Sequence, residues 1–548
     1  MARSPTYDAV FVGSGINSLV GAALLARAGW RVCVLERNDY LGGAIKTAEL
    51  TRPGFRHEVF ASWHPLFQGS AAYAELGGDL HARGLEYLNT ELPTGTISPD
   101  GSSAFLTTSG EANVREFDAL ATGDGAAWQG VHDRFMPNAE IAFGMLGTEL
   151  WSGAGAAFGL KALRRFGHRG LVGFSGSLLA TARDWLEDTF ASDRVHGLLA
   201  PWVLHTGLGP EQATSGFMAE VIAVALQLGG MPVPRGGGIR LVEALVRLVE
   251  EHGGEARTLA DVEGVRIGGE GATGVRLVGG ETVLARRAVL CNVTPTQLYG
   301  RLLPGGAVPL AHAEAARRFR YGRGEMQIHM ALSEPPRWRG DERLARTAIV
   351  HVTPGLDGVS RAVNEAERGL LPAEATIVCG QPLAVDPSRA PAGSSILWIQ
   401  LQELPAGRVK GDAAGELDTG DGTWTEELRE RYANRIQERL SRHITNLDSA
   451  LLERVVMSPA DMERANVNWV GGDIYAGSCA LDQNFLWRPT PTLPGHRTAV
   501  PRLFHIGAST HPGPGLGAGS GYLVAKELLR PSPVRRALGR LPLLGARA

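Results

Sequence analysis

Apolar positions along this chain follow two rhythms. Residues 8–12, DAVFV, form a nearly unbroken apolar run ahead of Gly13 and Gly15, as expected of a buried parallel strand. A small-residue helical stretch, INSLVGAALLAR, comes next, and a second apolar run, VCVL, ends on Glu36. The spacing predicts a strand, a tight turn, a helix and a parallel strand, a βαβ unit. Farther on, PRGGGIRLVEALVRLVEEHGGEARTLADVEGVRI predicts a turn, an amphipathic helix and a strand. GVRLVGGETVLARRAVLCNVTP predicts a hairpin running into a buried strand. A strand pair is expected around LEYLNTELPTGTISPDGSSAFLT, a helical tract from about residue 111 to 228, and an exposed loop over 412–424. Near the C-terminus a strand-like RLFHIGAS and a helix-like YLVAKELL flank THPGPGLGAGSG. Too few residues follow that glycine-rich stretch to form another domain, so it is expected to serve something bound by the main body.

The βαβ unit carries its own chemistry. Gly13 permits the tight turn, and Gly15, flanked by Ser14, lets backbone approach a pyrophosphate. The helix that follows, opening with Asn17 and Ser18, offers free N–H groups and the positive end of its dipole. Ser18 stands where a third glycine is usual and is small enough for close helix–strand packing. Glu36, followed by Arg37, ends the second strand where a carboxylate takes both ribose hydroxyls. Just downstream, ERNDYLGGAIKT places Gly42 and Gly43 six residues beyond that acid, a doublet that favours FAD over NAD, with Ala44 running toward the flavin ring.

With GFRHEVFASWHP, GGDIYAG, LDQNFLWRP and LFHIGASTHPGPGLGAGSG added, the chain resembles the phytoene desaturase and carotene ketolase-like flavoproteins of the amine oxidase-type FAD superfamily. The motifs keep that order from end to end. The resemblance implies an α/β fold: a Rossmann-like FAD-binding domain of glutathione reductase type, with an interleaved α+β substrate domain. It assigns 1–95, 232–300 and 456–530 to the FAD domain, 96–231 and 301–455 to the substrate domain, and 531–548 to a tail. Toward FAD it implies Ala61 and Ser62 near the ring, Val262 near the adenine, and Asn292 on the strand below the flavin. Gly507, Ala508, Gly517 and Ala518 would face the diphosphate and the N1/O2 edge of the ring. The implied activity is oxidation or desaturation of a largely apolar, isoprenoid or polyene-like small molecule, by hydride transfer to flavin N5. Isomerisation without net oxidation and a non-catalytic FAD protein stay open as alternatives.

Composition narrows the partners. A net charge of −3, with no basic run interleaved with aromatics, argues against nucleic acid. Cys33, Cys291, Cys379 and Cys479 form no CxxC pair, so reduced, buried thiols are expected and no metal site is encoded. The N-terminus lacks signal-peptide features, which points to a cytoplasmic protein. The tract 142–160 is apolar enough to touch a membrane and too interrupted to cross one. The tail RPSPVRRALGRLPLLGARA alternates arginines and leucines, and is expected either as a peripheral membrane anchor or as a disordered tail. No second strand–GxGxxG–helix unit is evident, since GGEGATGVRLV leads into a strand; oxygen or a quinone is therefore the expected electron acceptor. His64 and His511 lie in segments expected beside the ring, as proton shuttles or as structural histidines. Asp482, Gln483 and Arg488 read as loop scaffolding, and Trp63, Trp202, Trp469 and Trp487 as candidates for cavity lining or core.

Overall fold

A computed structural model describes residues 4–530, so the tail beyond Arg530 lies outside the described residues. Two seven-stranded sheets organise the chain. In the first, Thr6–Val12 lies parallel between Val32–Leu35 and Thr282–Asn292, with Glu255–Arg257 beyond Val32–Leu35. Thr282–Asn292 serves two partners along its length. Its first part pairs antiparallel with the hairpin Val262–Gly268 and Gly271–Leu277, and its last residues pair parallel with Leu503–Ile506. Asn292 is thereby set opposite Ile506, and the N- and C-terminal motifs share one sheet edge. GGEGATGVRLV forms the turn and second strand of that hairpin, and no helix follows it there.

Helices Ile16–Arg27, Ile239–Glu251 and Gly519–Leu529 cover one face of this sheet. In Ile239–Glu251, Leu241, Val242, Leu245, Leu248 and Val249 recur at spacings of three and four, so one stripe is buried while Arg240 and Glu243 stay outside. The other face packs Val10, Val12 and Leu35 against Val262, Val275 and Leu298.

The second sheet runs Leu451–Met457, Gly324–Leu332, Ser395–Leu404, Ile377–Gly380, Ile349–Val352, Thr94–Ile97 and Ser103–Leu106. Its strands are antiparallel apart from the pair Ile349–Val352 and Thr94–Ile97. One face presents Met326, Ile328, Met330, Leu397, Ile399 and Leu401 to Tyr432, Ile436 and Leu440 of helix Glu426–Ser441. The helical tract from Gly110 to Gly229 builds a separate core around Phe117, Trp128, Leu199 and Phe217. The segment 412–424 is largely exposed, but the Asp412 carboxylate is buried and takes two 2.7 Å hydrogen bonds from Arg435. All four cysteines are free and buried.

Candidate nucleotide-binding and substrate site

The glycine turn after the first strand is held by side chains from both directions. Ser14 donates to Glu36 Oε2 from its backbone (2.9 Å) and from its hydroxyl (2.7 Å), and the same hydroxyl accepts from Gly42 N–H (3.0 Å). Glu36 Oε1 accepts from Asn38 N–H at 3.0 Å. One serine thus fixes Glu36, the glycine turn and the Gly42–Gly43 doublet together, and Gly15 bridges Gly42 directly. Arg37 points to solvent, whereas Val262 is buried two residues past Ala260, whose N–H bonds to the Glu36 carbonyl. Ser18 has an active role: its hydroxyl accepts from Asn292 Nδ2 at 3.1 Å, tying helix to strand where a glycine could only make room.

The glycine-rich C-terminal stretch returns to the same edge. Gly507 N–H bonds to Ser520 Oγ (3.0 Å), and Asn17 Oδ1 accepts from Gly521 N–H (3.1 Å). Helices Ile16–Arg27 and Gly519–Leu529 therefore start side by side, and neither is capped by the side chain of its own N-cap residue, Gly15 or Ala518. Gly517 sits against Leu66, and Ala518 turns the chain into the helix at φ +57°. Ala61 N–H bonds to Ala44 O (3.1 Å), laying the 57–64 loop along the 44–48 segment. Ser62 is buried with no protein partner for its hydroxyl.

A flavin dinucleotide fits these residues. A Cβ at Gly15 would stand 3.0 Å from Asn292 Nδ2, so only bare backbone passes there without displacing a neighbour. Two uncapped helix N-termini offer N–H donors to phosphate oxygens, and the Glu36 carboxylate retains lone pairs for hydroxyls.

His64 and His511 are both buried, in different surroundings. His64 Nδ1 lies 3.0 Å from Tyr87 Oη, while Nε2 has no partner and lies near Gly238. Burial, then the nearby Arg389, lowers it to about 3. Neither ring nitrogen of His511 has a protein partner; burial, then His496, lowers it to about 4. Each is a neutral imidazole at neutral pH and supplies no proton as an imidazolium. Arg488 is fully buried and donates to the carbonyls of Ala508 and Tyr475, which fastens 475–478 beside the nucleotide edge. Gln483 bonds to the Arg320 backbone, and Asp482 pairs with the Arg320 side chain. Trp202 and Trp469 are buried and Trp63 partly so, but Trp487 is 40% exposed and lines no interior cavity.

Two groups escaped sequence reasoning. Glu58 and Arg389 form an ion pair of 2.7 Å with both side chains 1% exposed. Gly238 N–H and Thr47 Oγ1 also donate to Glu58, so the pair anchors the 57–64 loop to the start of helix Ile239–Glu251. The second is the inner face of the second sheet, where Glu325, Gln327, His329, Gln400 and Gln402 are all buried. The sequence carries only the alternation of Glu325, Gln327 and His329 with Met326, Ile328 and Met330, which marks a two-faced strand and not the burial of its polar face.

Comparison with known proteins agrees with this geometry. Residues 12–76 match the family described as NAD(P)-binding Rossmann-like domain. The chain is 26% identical to a rat protein named pyridine nucleotide-disulfide oxidoreductase domain-containing protein 2, over 96% of this chain and 94% of that protein. It is 23% identical to a limonene dehydrogenase chain of Castellaniella defragrans, over 96% and 95% of the two chains. It is 25% identical to the phytoene desaturase of Neurospora crassa, over 93% and 82%. Among solved structures, a putrescine oxidase variant superimposes with a TM-score of 0.57 at 17% identity, covering 96% of this chain and 99% of that one, which shows a shared fold.

Proposed function

We propose that this chain, an oxidoreductase of the flavin amine oxidase and desaturase superfamily, binds FAD and dehydrogenates a small molecule with a largely apolar body. The observation that carries this reading is the meeting of two uncapped helix N-termini and Glu36 at one sheet edge. Bound FAD would supply the hydride acceptor that no side chain provides. The chain's own part is positional. Ser14 and Asn292 hold the turn that receives the pyrophosphate, and Glu36 takes the ribose. Arg488 holds 475–478 and Ala508 in place, and the Glu58–Arg389 pair holds the loop bearing Ser62, Trp63 and His64. Neutral His64 and His511 bind or orient a polar group.

Oxygen or a quinone reoxidises the cofactor in this reading, since the segment 268–278 is a β-hairpin and offers no helix dipole to a second dinucleotide. Peripheral membrane contact is part of the proposal. No helix among the described residues is long and apolar enough to cross a membrane. The surface around helices Ala139–Gly147 and Gly153–Ser177 nevertheless exposes Phe143, Trp151, Leu160 and Leu163 beside Lys161, Arg164 and Arg165.

Product mass and anaerobic stopped-flow test the reading together. Loss of two hydrogens from substrate, with flavin bleached by substrate and not by NADH or NADPH, is the expected result. Unchanged mass assigns isomerisation instead, an added oxygen assigns ketolase-type chemistry, and rapid saturable bleaching by NADH refutes the acceptor assignment.

A further inference from the structure

The inner face of the second sheet is polar, buried and incompletely paired. Gln327 lies opposite Gln400 in the ladder, and Glu325 and Gln402 follow on the same two strands. Both glutamines of the first pair donate to Glu325 Oε1, from Gln327 Nε2 at 2.7 Å and Gln400 Nε2 at 2.6 Å. Gln402 Nε2 donates to Tyr475 Oη (2.8 Å), which donates onward to the Leu204 carbonyl (2.7 Å). These bonds engage the amide nitrogens and leave three oxygens, Glu325 Oε2, Gln327 Oε1 and Gln402 Oε1, buried without a protein partner.

A polar atom buried without a partner costs about 1–3 kcal/mol, so three oxygens on one face call for a hydrogen-bond donor. The site's address is equally informative. Tyr475 belongs to the segment that Arg488 ties to Ala508, at the edge where the nucleotide residues converge. Two residues before Gln400 on the same strand, Trp398 Nε1 donates to Phe60 O, in the loop that leads to Ser62 and His64.

From this juxtaposition, and resting on the redox reading above, we propose that Glu325, Gln327 and Gln402 form a subsite for a hydrogen-bond-donating head group, hydroxyl or amino, carried by the otherwise apolar substrate. A pure hydrocarbon would leave the three oxygens bare, whereas an alcohol brings one donor and an acceptor, and an ammonium three donors, at the end of an apolar body. Burial raises the Glu325 carboxyl to about 8, so at neutral pH it is mostly protonated. The two head groups use that proton differently. A hydroxyl donates to a glutamine Oε1 while accepting from the carboxyl, whereas an amine takes the proton outright and pairs with the carboxylate it leaves.

The test uses the holoenzyme and three eight-carbon probes, octan-1-ol, octylamine and octane, with retention measured by gas chromatography after equilibrium dialysis. The alcohol or the amine should bind at least tenfold more tightly than octane, and whichever is tighter identifies the head group. Gln402→Leu removes an acceptor that either head group needs, and should cut the preference tenfold or more. Glu325→Gln keeps the shape but has no acid proton to give, and should cut an amine's preference by the same factor. Octane retention, flavin content and Tm should hold in both variants. Equal retention of the three probes by the wild-type chain overturns the proposal. So does a preference that survives Gln402→Leu, or an amine preference that survives Glu325→Gln. Dialysis reads binding alone, so a chain that selects donors and oxidises none of them breaks the redox reading and leaves the subsite standing.

Discussion

In the reading proposed above, the two sheets recognise in different ways. The first binds through backbone: its strands are apolar, and its functional edge is made of turns, helix N-termini and a few small side chains such as Ser14, Ser18 and Asn292. The second presents side chains: one face is apolar beneath helix Glu426–Ser441, and the other carries Glu325, Gln327, His329, His351, Gln400 and Gln402. Backbone recognition suits a cofactor whose phosphates are invariant, because N–H groups read phosphate by geometry alone. Side-chain recognition suits a substrate, since each polar residue can change without unsettling the ladder. Such a design costs stability, because polar groups kept inside must be neutral or paired.

That cost gives the largest expected effect, an acid sensitivity concentrated in the second sheet. Burial lowers His57, His64 and His205 to about 3, His329, His505 and His511 to about 4, and His351 well below its ordinary value. Unfolded, each binds a proton near pH 6.5; folded, it does not. Stability from these groups is complete above about 6.5 and falls with pH below it, at up to about 1.4 kcal/mol per unit for each histidine. Glu325 and Glu403, raised to about 8 and 7, act in the opposite direction, as do Glu58, Glu220 and Asp473, which burial also raises, but these five carboxyls are outnumbered by the seven imidazoles. His329 and His351 lie on second-sheet strands, with His57 and His205 packed against them. Hydrogen exchange should show Gly324–Leu332 and Ile349–Val352 losing protection as pH falls below about 6.5, before Thr6–Val12 does. Simultaneous loss in both sheets would remove the distinction.

The next effect comes from the joint between the regions. Arg389→Ala leaves Glu58 buried without its cation, which should cost about 3–5 kcal/mol by denaturant unfolding. The double substitution Glu58→Leu, Arg389→Leu should recover much of that loss, because it removes both charges and leaves apolar volume. A single-variant loss below about 1 kcal/mol, the range of an exposed pair, would show that the joint is solvated.

The same contrast explains what the sequence made readable. The convergence of Gly15, Glu36 and the Gly42–Gly43 doublet was legible because the proposed backbone recognition demands fixed residue types at fixed spacing. The long βαβ register and the amphipathic helix Ile239–Glu251 were legible from period alone. The polar face of Gly324–Leu332 was not, since alternation of Glu325, Gln327 and His329 with Met and Ile describes a strand wetted on one side as well as one buried on both. Burial of that face depends on helices more than a hundred residues earlier in the chain. The Glu58–Arg389 pair was hidden for the same reason: its partners are far apart in sequence and neither belongs to a spaced motif. Trp487 shows the converse error, where a motif residue read as cavity lining or core stands 40% exposed.

The smallest expected effect separates two glycines that the sequence treats alike. A Cβ at Gly521 would fall 1.8 Å from the Asn17 carbonyl oxygen, and that oxygen is backbone inside a packed helix and cannot yield. A Cβ at Gly15 would fall 3.0 Å from Asn292 Nδ2, the end of a side chain that need give by only a few tenths of an ångström. Gly521→Ala must therefore push the two helix N-termini apart, at about 1–3 kcal/mol in stability for overpacking, and should weaken FAD retention by spreading the donors. Gly15→Ala should keep Tm within about 2 °C and lose FAD all the same, because the added methyl occupies the path of the pyrophosphate. Glu36→Ala should resemble Gly15→Ala, pale and folded. Measuring bound flavin against Tm for the three variants decides the matter. If Gly15→Ala and Glu36→Ala hold stoichiometric FAD at wild-type affinity while Gly521→Ala does not, the glycines of the first turn serve packing, and recognition by backbone belongs to the C-terminal helix alone.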